Sequence, residues 1–181
     1  MSEHETHEGI ALLRGLRATR SFTDAPVEPD ALDDILEVAR WSGSSMNDQE
    51  WQLIVITDRS TLTALAATSQ TAGHLARAPL GIAVVMPGER KITEAFDEAR
   101  MVERIMLAAR ARGLASGIAW VSSGEDEAKR LLDIPPERKL RSVVAIGHPD
   151  EAGRRHKAAP GSARHPLEET VHYERWGRRR A

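Results

Sequence analysis

Two short stretches carry side chains whose types and spacing could do chemistry. In the first, Trp41 to Ile56 (WSGSSMNDQEWQLIVI), Ser42, Ser44, Ser45, Asn47 and Gln49 form a polar run just ahead of a hydrophobic strand. Serine and amide side chains offer hydrogen-bond donors and acceptors without charge. That suits a heterocycle with many acceptors and is poor for metal ligation or proton abstraction. A solvated loop has the same composition. The second stretch is Arg17-Ala18-Thr19-Arg20. If the preceding helix continues through it, two guanidinium groups three residues apart project from nearly one face and converge on an anion such as a phosphate. Surface arginines that meet only water are the commoner reason for such a pair.

Other chemistries have no home in the chain. There is no cysteine, which excludes disulfides, thiol nucleophiles and thiolate-bound metals. His4 and His7 sit near the amino end, and His148, His156, His165 and His172 are spread without carboxylates at ligand spacing, so no metal is expected. No GxSxG elbow, GxxxxGK[ST] loop or GxGxxG fingerprint occurs; Gly113 and Gly117 do not make one. If the protein is an enzyme, its reactive atoms belong to a bound cofactor. A formal charge of -2, from 25 basic and 27 acidic side chains, gives no reason to expect nucleic acid, and Arg178-Arg179-Arg180 reads as a solvated end. The opening MSEHETHEG lacks the pattern of a signal peptide, and no apolar run is long enough to cross a bilayer. The expectation is a soluble, cytoplasmic protein.

The elements that must position these groups form an α+β pattern over a single domain, 1–181, with a flexible tail over 1–8 and a carboxyl-terminal extension over 148–181. Ile10, Leu13 and Leu16 predict a helix over 8–16 that leads into the arginine pair. Pro29 and the apolar spacing of Leu32, Ile35, Leu36 and Ala39 predict a second helix that delivers the Ser42–Gln49 loop. A strand follows over 52–57, then a helix capped by Asp58 or Ser60 with Leu62, Leu65 and Ala66 inward. Leu80–Met86 reads as a fully buried strand. A long helix over 92–112 places Phe96, Val102, Ile105, Met106 and Ala109 on one face, and its alanines suggest packing against another helix. An extended segment over 113–123, a short helix over 124–133 and a strand over 141–147 complete the pattern, and the tail closes with a small helix over 166–176.

The motifs RATRSF, DAPVEPDALDDILEVA, SGSSMNDQEWQLIVI, the long helix ending in RGL, VVAIGHPDE and ARHPLEETVHYERWG, in that order, resemble the nitroreductase family of FMN-dependent NAD(P)H oxidoreductases. The likeness runs from about residue 12 to 177. It implies a nitroreductase-like fold, a central, mainly antiparallel sheet flanked by helices in an intertwined homodimer, with FMN where the subunits meet. It also implies hydride transfer from NADH or NADPH to a nitroaromatic, a quinone or a similar electrophile. Carried over by motif, Arg17, Ala18, Thr19 and Arg20 hold the flavin from one subunit, with Arg164 joining Arg17 at the phosphate. Ser44, Ser45 and Asn47 come from the other, with Gln49 buttressing the loop, and Ile118, Ala119, Trp120 and Val121 run beside the ring. Ala18 stands where a serine is usual, and Glu50 replaces the proline usual before Trp51. A relative that binds the deazaflavin F420, or a flavin-binding member with a dedicated metabolite or no general turnover, is the alternative.

Overall fold

The computed structural model describes residues 3–150, 152 and 164–180. At its centre four strands, β1 (Gln52–Ile56), β2 (Leu80–Met86), β3 (Ala115–Trp120) and β4 (Lys139–Gly147), pair antiparallel throughout in the order β1-β2-β4-β3. Strands β2 and β4 are central. All of β2 is buried because LGIAVVM is apolar on both faces and meets helices on both.

Alternate side chains along the strands feed two cores. On one face, α3 (Arg59–Ala67) and α5 (Glu125–Leu131) bring Leu62, Leu65 and Ala128 against Ala83, Val85, Val143 and Ala145. On the other, α2 (Pro29–Arg40) and α4 (Lys91–Ala111) bring Ile35, Ala39, Met101 and Ile105 against Ile82, Val84, Val144 and Ile146. Asp58 caps α3 by accepting the Thr61 N–H at 2.7 Å.

Several expectations differ from what is observed. The first helix, α1 (Glu3–Gly15), starts before residue 8, within the span expected to be a tail. It stops at Gly15, so Arg17 and Arg20 do not lie on a helical turn, and the spacing argument that put them on one face does not hold. Phe96 is 67% exposed, because the inward stripe of α4 is continued towards its amino end by Glu94, Asp97 and Glu98 and not by Phe96. In the tail, α6 spans only Leu167–Thr170; Val171 is extended, and the chain turns so that the Gly177 N–H donates to His172 Nδ1 at 2.6 Å while His172 stacks on Trp176.

Glu94, Asp97 and Glu98 of α4 are nearly fully buried, and each has a structural partner. Glu94 accepts the backbone N–H groups of Gly88, Glu89 and Arg90 at 2.7–3.0 Å. Glu98 accepts from Arg141 at 2.9 Å and from the Ser142 hydroxyl at 2.7 Å, tying α4 to β4. Burial pushes the Glu98 carboxyl above its usual range in spite of these bonds. Among the described residues no helix is long and apolar enough to cross a membrane, and no group of three or more His, Asp or Glu is placed to hold a metal ion.

Candidate functional site

Beyond α1 the chain runs alongside β3. Ala18 forms a parallel bridge with Ser116, and the Thr19 N–H donates to the Ser116 carbonyl at 2.7 Å. Phe22 then bridges Pro149, and Thr23 donates to the His148 carbonyl at 3.0 Å. Gly117 is what allows this approach, since a Cβ there would collide with the Thr19 carbonyl oxygen. Thr19 is buried, while Arg17, Ala18 and Arg20 are exposed along the edge. The Arg17 guanidinium turns back onto the carbonyls of Arg14 and Leu16, at 2.8 and 2.7 Å, and so sits at the carboxyl end of α1.

Backbone groups of an antiparallel strand point alternately to its two sides. The Val121 N–H is spent on the Arg141 carbonyl at 2.9 Å, and the register places Ala119 on that same inner side. Ser116 faces Thr19, so Ile118 and Trp120, in phase with it, turn their N–H groups to the open edge. Of the four residues predicted to run beside a ligand, two are spent within the sheet and two remain as edge donors. The same two side chains are the exposed ones, Ile118 at 38% and Trp120 at 49%.

Below Trp120 the edge continues into a cleft of about 540 Å³ lined by Thr68, Ser69, Gln70, Thr71, Trp120, Ser122 and Ser123. Thr71 Oγ1 donates to the Trp120 carbonyl at 2.8 Å, fixing the loop after α3 to the strand. These hydroxyls are absent from the set that the sequence singles out. Ser122 and Ser123 directly follow AWV and could have been added from that adjacency; Gln70 and Thr71 carry no spacing signal. His74 is a further addition. It is buried behind the edge, its Nε2 has no hydrogen-bond partner, and burial together with the nearby charge of Arg20 lowers its pKa.

The polar loop lies elsewhere. It runs from the end of α2 through a single 3-10 turn, Ser45–Asn47, into β1, at the opposite edge of the sheet. Met46, Asn47 and Gln49 all adopt positive φ, between 52° and 62°. Ser44 Oγ accepts the Gln49 N–H at 3.0 Å, and the Gln49 side chain donates to the Asn47 carbonyl at 3.1 Å. Arg90 reaches across to Asp48 and Glu50. Arg164 lies exposed in the carboxyl-terminal segment.

An edge with outward N–H groups, exposed indole and aliphatic surface, two arginines and a hydroxyl-lined cleft has the parts needed by a flat polar heterocycle bearing an anionic tail. Its cleft falls within the range of about 300–1,000 Å³ usual for small-molecule sites. Residues 13–148 match the nitroreductase family. The chain belongs to the nitroreductase family. It is 27% identical over 192 residues to an NADH dehydrogenase of Thermus thermophilus, with 86% of this chain and 90% of that protein covered. It is 25% identical over 179 residues to an FMN reductase [NAD(P)H] of Bacillus subtilis, covering 87% and 72%. Among solved structures, an FMN-dependent nitroreductase from Clostridium difficile R20291 superposes with a TM-score of 0.83 at 25% identity, covering 92% of this chain and 99% of that one.

This nitroreductase is therefore an FMN-dependent oxidoreductase by family and fold, with the antiparallel sheet and flanking helices expected of it. FMN fits the donor set at the β3 edge: neutral donors for the ring's polar rim, an apolar surface for its face, and cations within the same segment. Of the residues predicted to bind it, the fold brings Arg17–Arg20 and Ile118–Val121 together and leaves Ser44, Ser45, Asn47 and Gln49 at the far edge of the same chain.

Proposed function

We propose that this nitroreductase works as a homodimer that takes hydride from NADH or NADPH and delivers it to a nitroaromatic, a quinone or a similar electrophile. The observation that carries the reading is the division of polar chemistry between opposite edges of one sheet. Three strand spacings separate β3 from β1, on the order of 14 Å. One flavin touches both sets only where a second copy sets its Ser44–Gln49 loop against the first copy's β3 edge. The exposed Ile92, Phe96, Ile118 and Trp120 supply apolar surface for such an association.

When bound, FMN supplies the hydride chemistry. The chain's part is placement. Arg17, with Arg164, holds the phosphate, and because only the Nη1 of Arg17 is engaged by the Arg14 and Leu16 carbonyls, its other N–H groups are the ones offered. Ala18 and Thr19 form the backbone ledge between the arginines, and Arg20 sets positive charge near the pyrimidine edge, where it favours negative charge on the ring. Ile118 and Trp120 offer N–H groups to the ring's rim, while Ala119 and Val121 hold the strand in register. Ser44, Ser45 and Asn47 of the second copy close the other side. Nicotinamide and acceptor then occupy the same space in turn, positioned against the ring by one cavity.

The test is the visible spectrum of the purified protein, its bleaching by each nicotinamide under nitrogen, and its recovery with a quinone or a nitroaromatic. A yellow dimer that completes this cycle is expected. A colourless protein that takes up no FMN sinks the reading, and preferential binding of F420 in a parallel fluorescence titration redirects it to a deazaflavin enzyme. Arg17→Ala and Arg20→Ala should each weaken FMN retention roughly tenfold to a hundredfold, the loss expected for one charge-assisted contact.

A further inference from the structure

The Ser44–Gln49 loop is held in a conformation it would not adopt unaided. Met46, Asn47 and Gln49 have φ values of 52°, 62° and 53°. Left-handed backbone at residues with a Cβ persists only where the surroundings over-determine it. Two clamps reach the loop from outside it. One is Arg90, whose side chain is 43% exposed and whose ion pairs with Asp48 and Glu50 stand in solvent, where salt screens them. The other is Asp97, on the buried stripe of α4. Its Oδ2 accepts the Ser45 N–H at 3.0 Å, and its Oδ1 accepts from Arg100 at 3.0 Å. Arg100 in turn lies against Gly43, where a Cβ would come within 2.9 Å of its guanidinium nitrogen. One carboxylate thus fixes the first turn of the loop directly and, through Arg100, braces the glycine that enters it.

We propose that Asp97 is a positioning residue for cofactor binding: it touches no ligand, and it sets the loop that one copy presents to the flavin held by the other. This rests on the reading of residues 44–49 as a flavin-holding loop. Without the buried acceptor, the Ser45 N–H loses its partner and the strained turn relaxes, which draws the Ser44 and Asn47 side chains off target. At Ser45 the accepting oxygen matters more than the charge, because the bonded group there is a neutral amide N–H, while the second oxygen serves Arg100.

The experiment titrates FMN onto flavin-free unaltered protein, Asp97→Ala and Asp97→Asn, alongside thermal unfolding of each flavin-free form and amide exchange at Ser45. Asp97→Ala is expected to weaken FMN binding by about tenfold or more, the order of one lost positioning bond. Asp97→Asn should recover part of that loss, because its one amide oxygen can still accept the Ser45 N–H while its NH2 gives up the bond from Arg100. Ser45 exchange should speed up in the alanine variant while the amides of β2 and β4 stay protected. An alanine variant that binds FMN like the unaltered protein, or an asparagine variant as weak as alanine, overturns the proposal. If the unaltered protein binds no FMN, the functional reading fails separately. The anchor is then judged on Ser45 exchange, and unchanged exchange in Asp97→Ala overturns it.

Discussion

The two edges of the sheet hold their polar residues by different means. At β3, backbone bonds seat Arg17–Arg20: Ala18 bridges Ser116, Thr19 donates to it, and Gly117 clears the space. Ahead of β1, side chains do the holding, with Asp97 on Ser45, Arg90 on Asp48 and Glu50, and Ser44 on Gln49. Backbone pairing makes the first edge tolerant of changes in its exposed side chains and intolerant of changes in shape. The second depends on a few carboxylates and oxygen atoms, any of which one substitution can remove.

The largest effect should come from the anchor of α4, the helix that carries Asp97. Glu98→Ala leaves the Arg141 guanidinium buried without its closest partner, and a broken buried pair typically costs about 3–5 kcal/mol. Denaturant unfolding should show the loss, and a variant as stable as the parent would mean that Glu94, 3.9 Å from Arg141, suffices. Next comes shape at the other edge. Gly117→Ala puts a methyl into the Thr19 carbonyl and should destabilise by about 1–3 kcal/mol while releasing FMN. An unchanged denaturation midpoint with normal FMN retention would show that the segment can shift without penalty.

The smallest effect is a pH dependence at the β3 edge. His74 has a lowered pKa, so the unfolded chain takes up its proton first. Its contribution to stability is therefore complete above the ordinary histidine value of 6.5 and is lost as pH falls below it. The thermal midpoint should decline as pH falls below about 6.5, and His74→Phe should flatten that decline. An identical slope in the variant would assign the effect to other groups.

Much of the scaffold is legible because its signals are local. The apolar spacing in α2, the uninterrupted LGIAVVM of β2 and the Asp58 cap each depend on neighbours a few residues away, and each is found where the pattern puts it. The failures involve partners distant in sequence. Phe96 reads as inward only if acids face water, whereas Asp97 and Glu98 find donors in the polar loop and in β4. The side-by-side run of Arg17–Arg20 with β3 spans about a hundred residues of sequence, and nothing local distinguishes it from a helix continuing past Gly15. His74, Gln70 and Thr71 stay hidden for the same reason: the strand they lie against is far along the chain.

On the proposed reading, the ledge formed by Ala18 and Thr19 separates where a ligand is held from what holds it. Because peptide groups fix its location, positions 17, 18 and 20 can be exchanged for other side chains without disturbing the frame. That makes this short run a natural place to retune the molecule towards a different headgroup, beginning with a hydroxyl restored at residue 18.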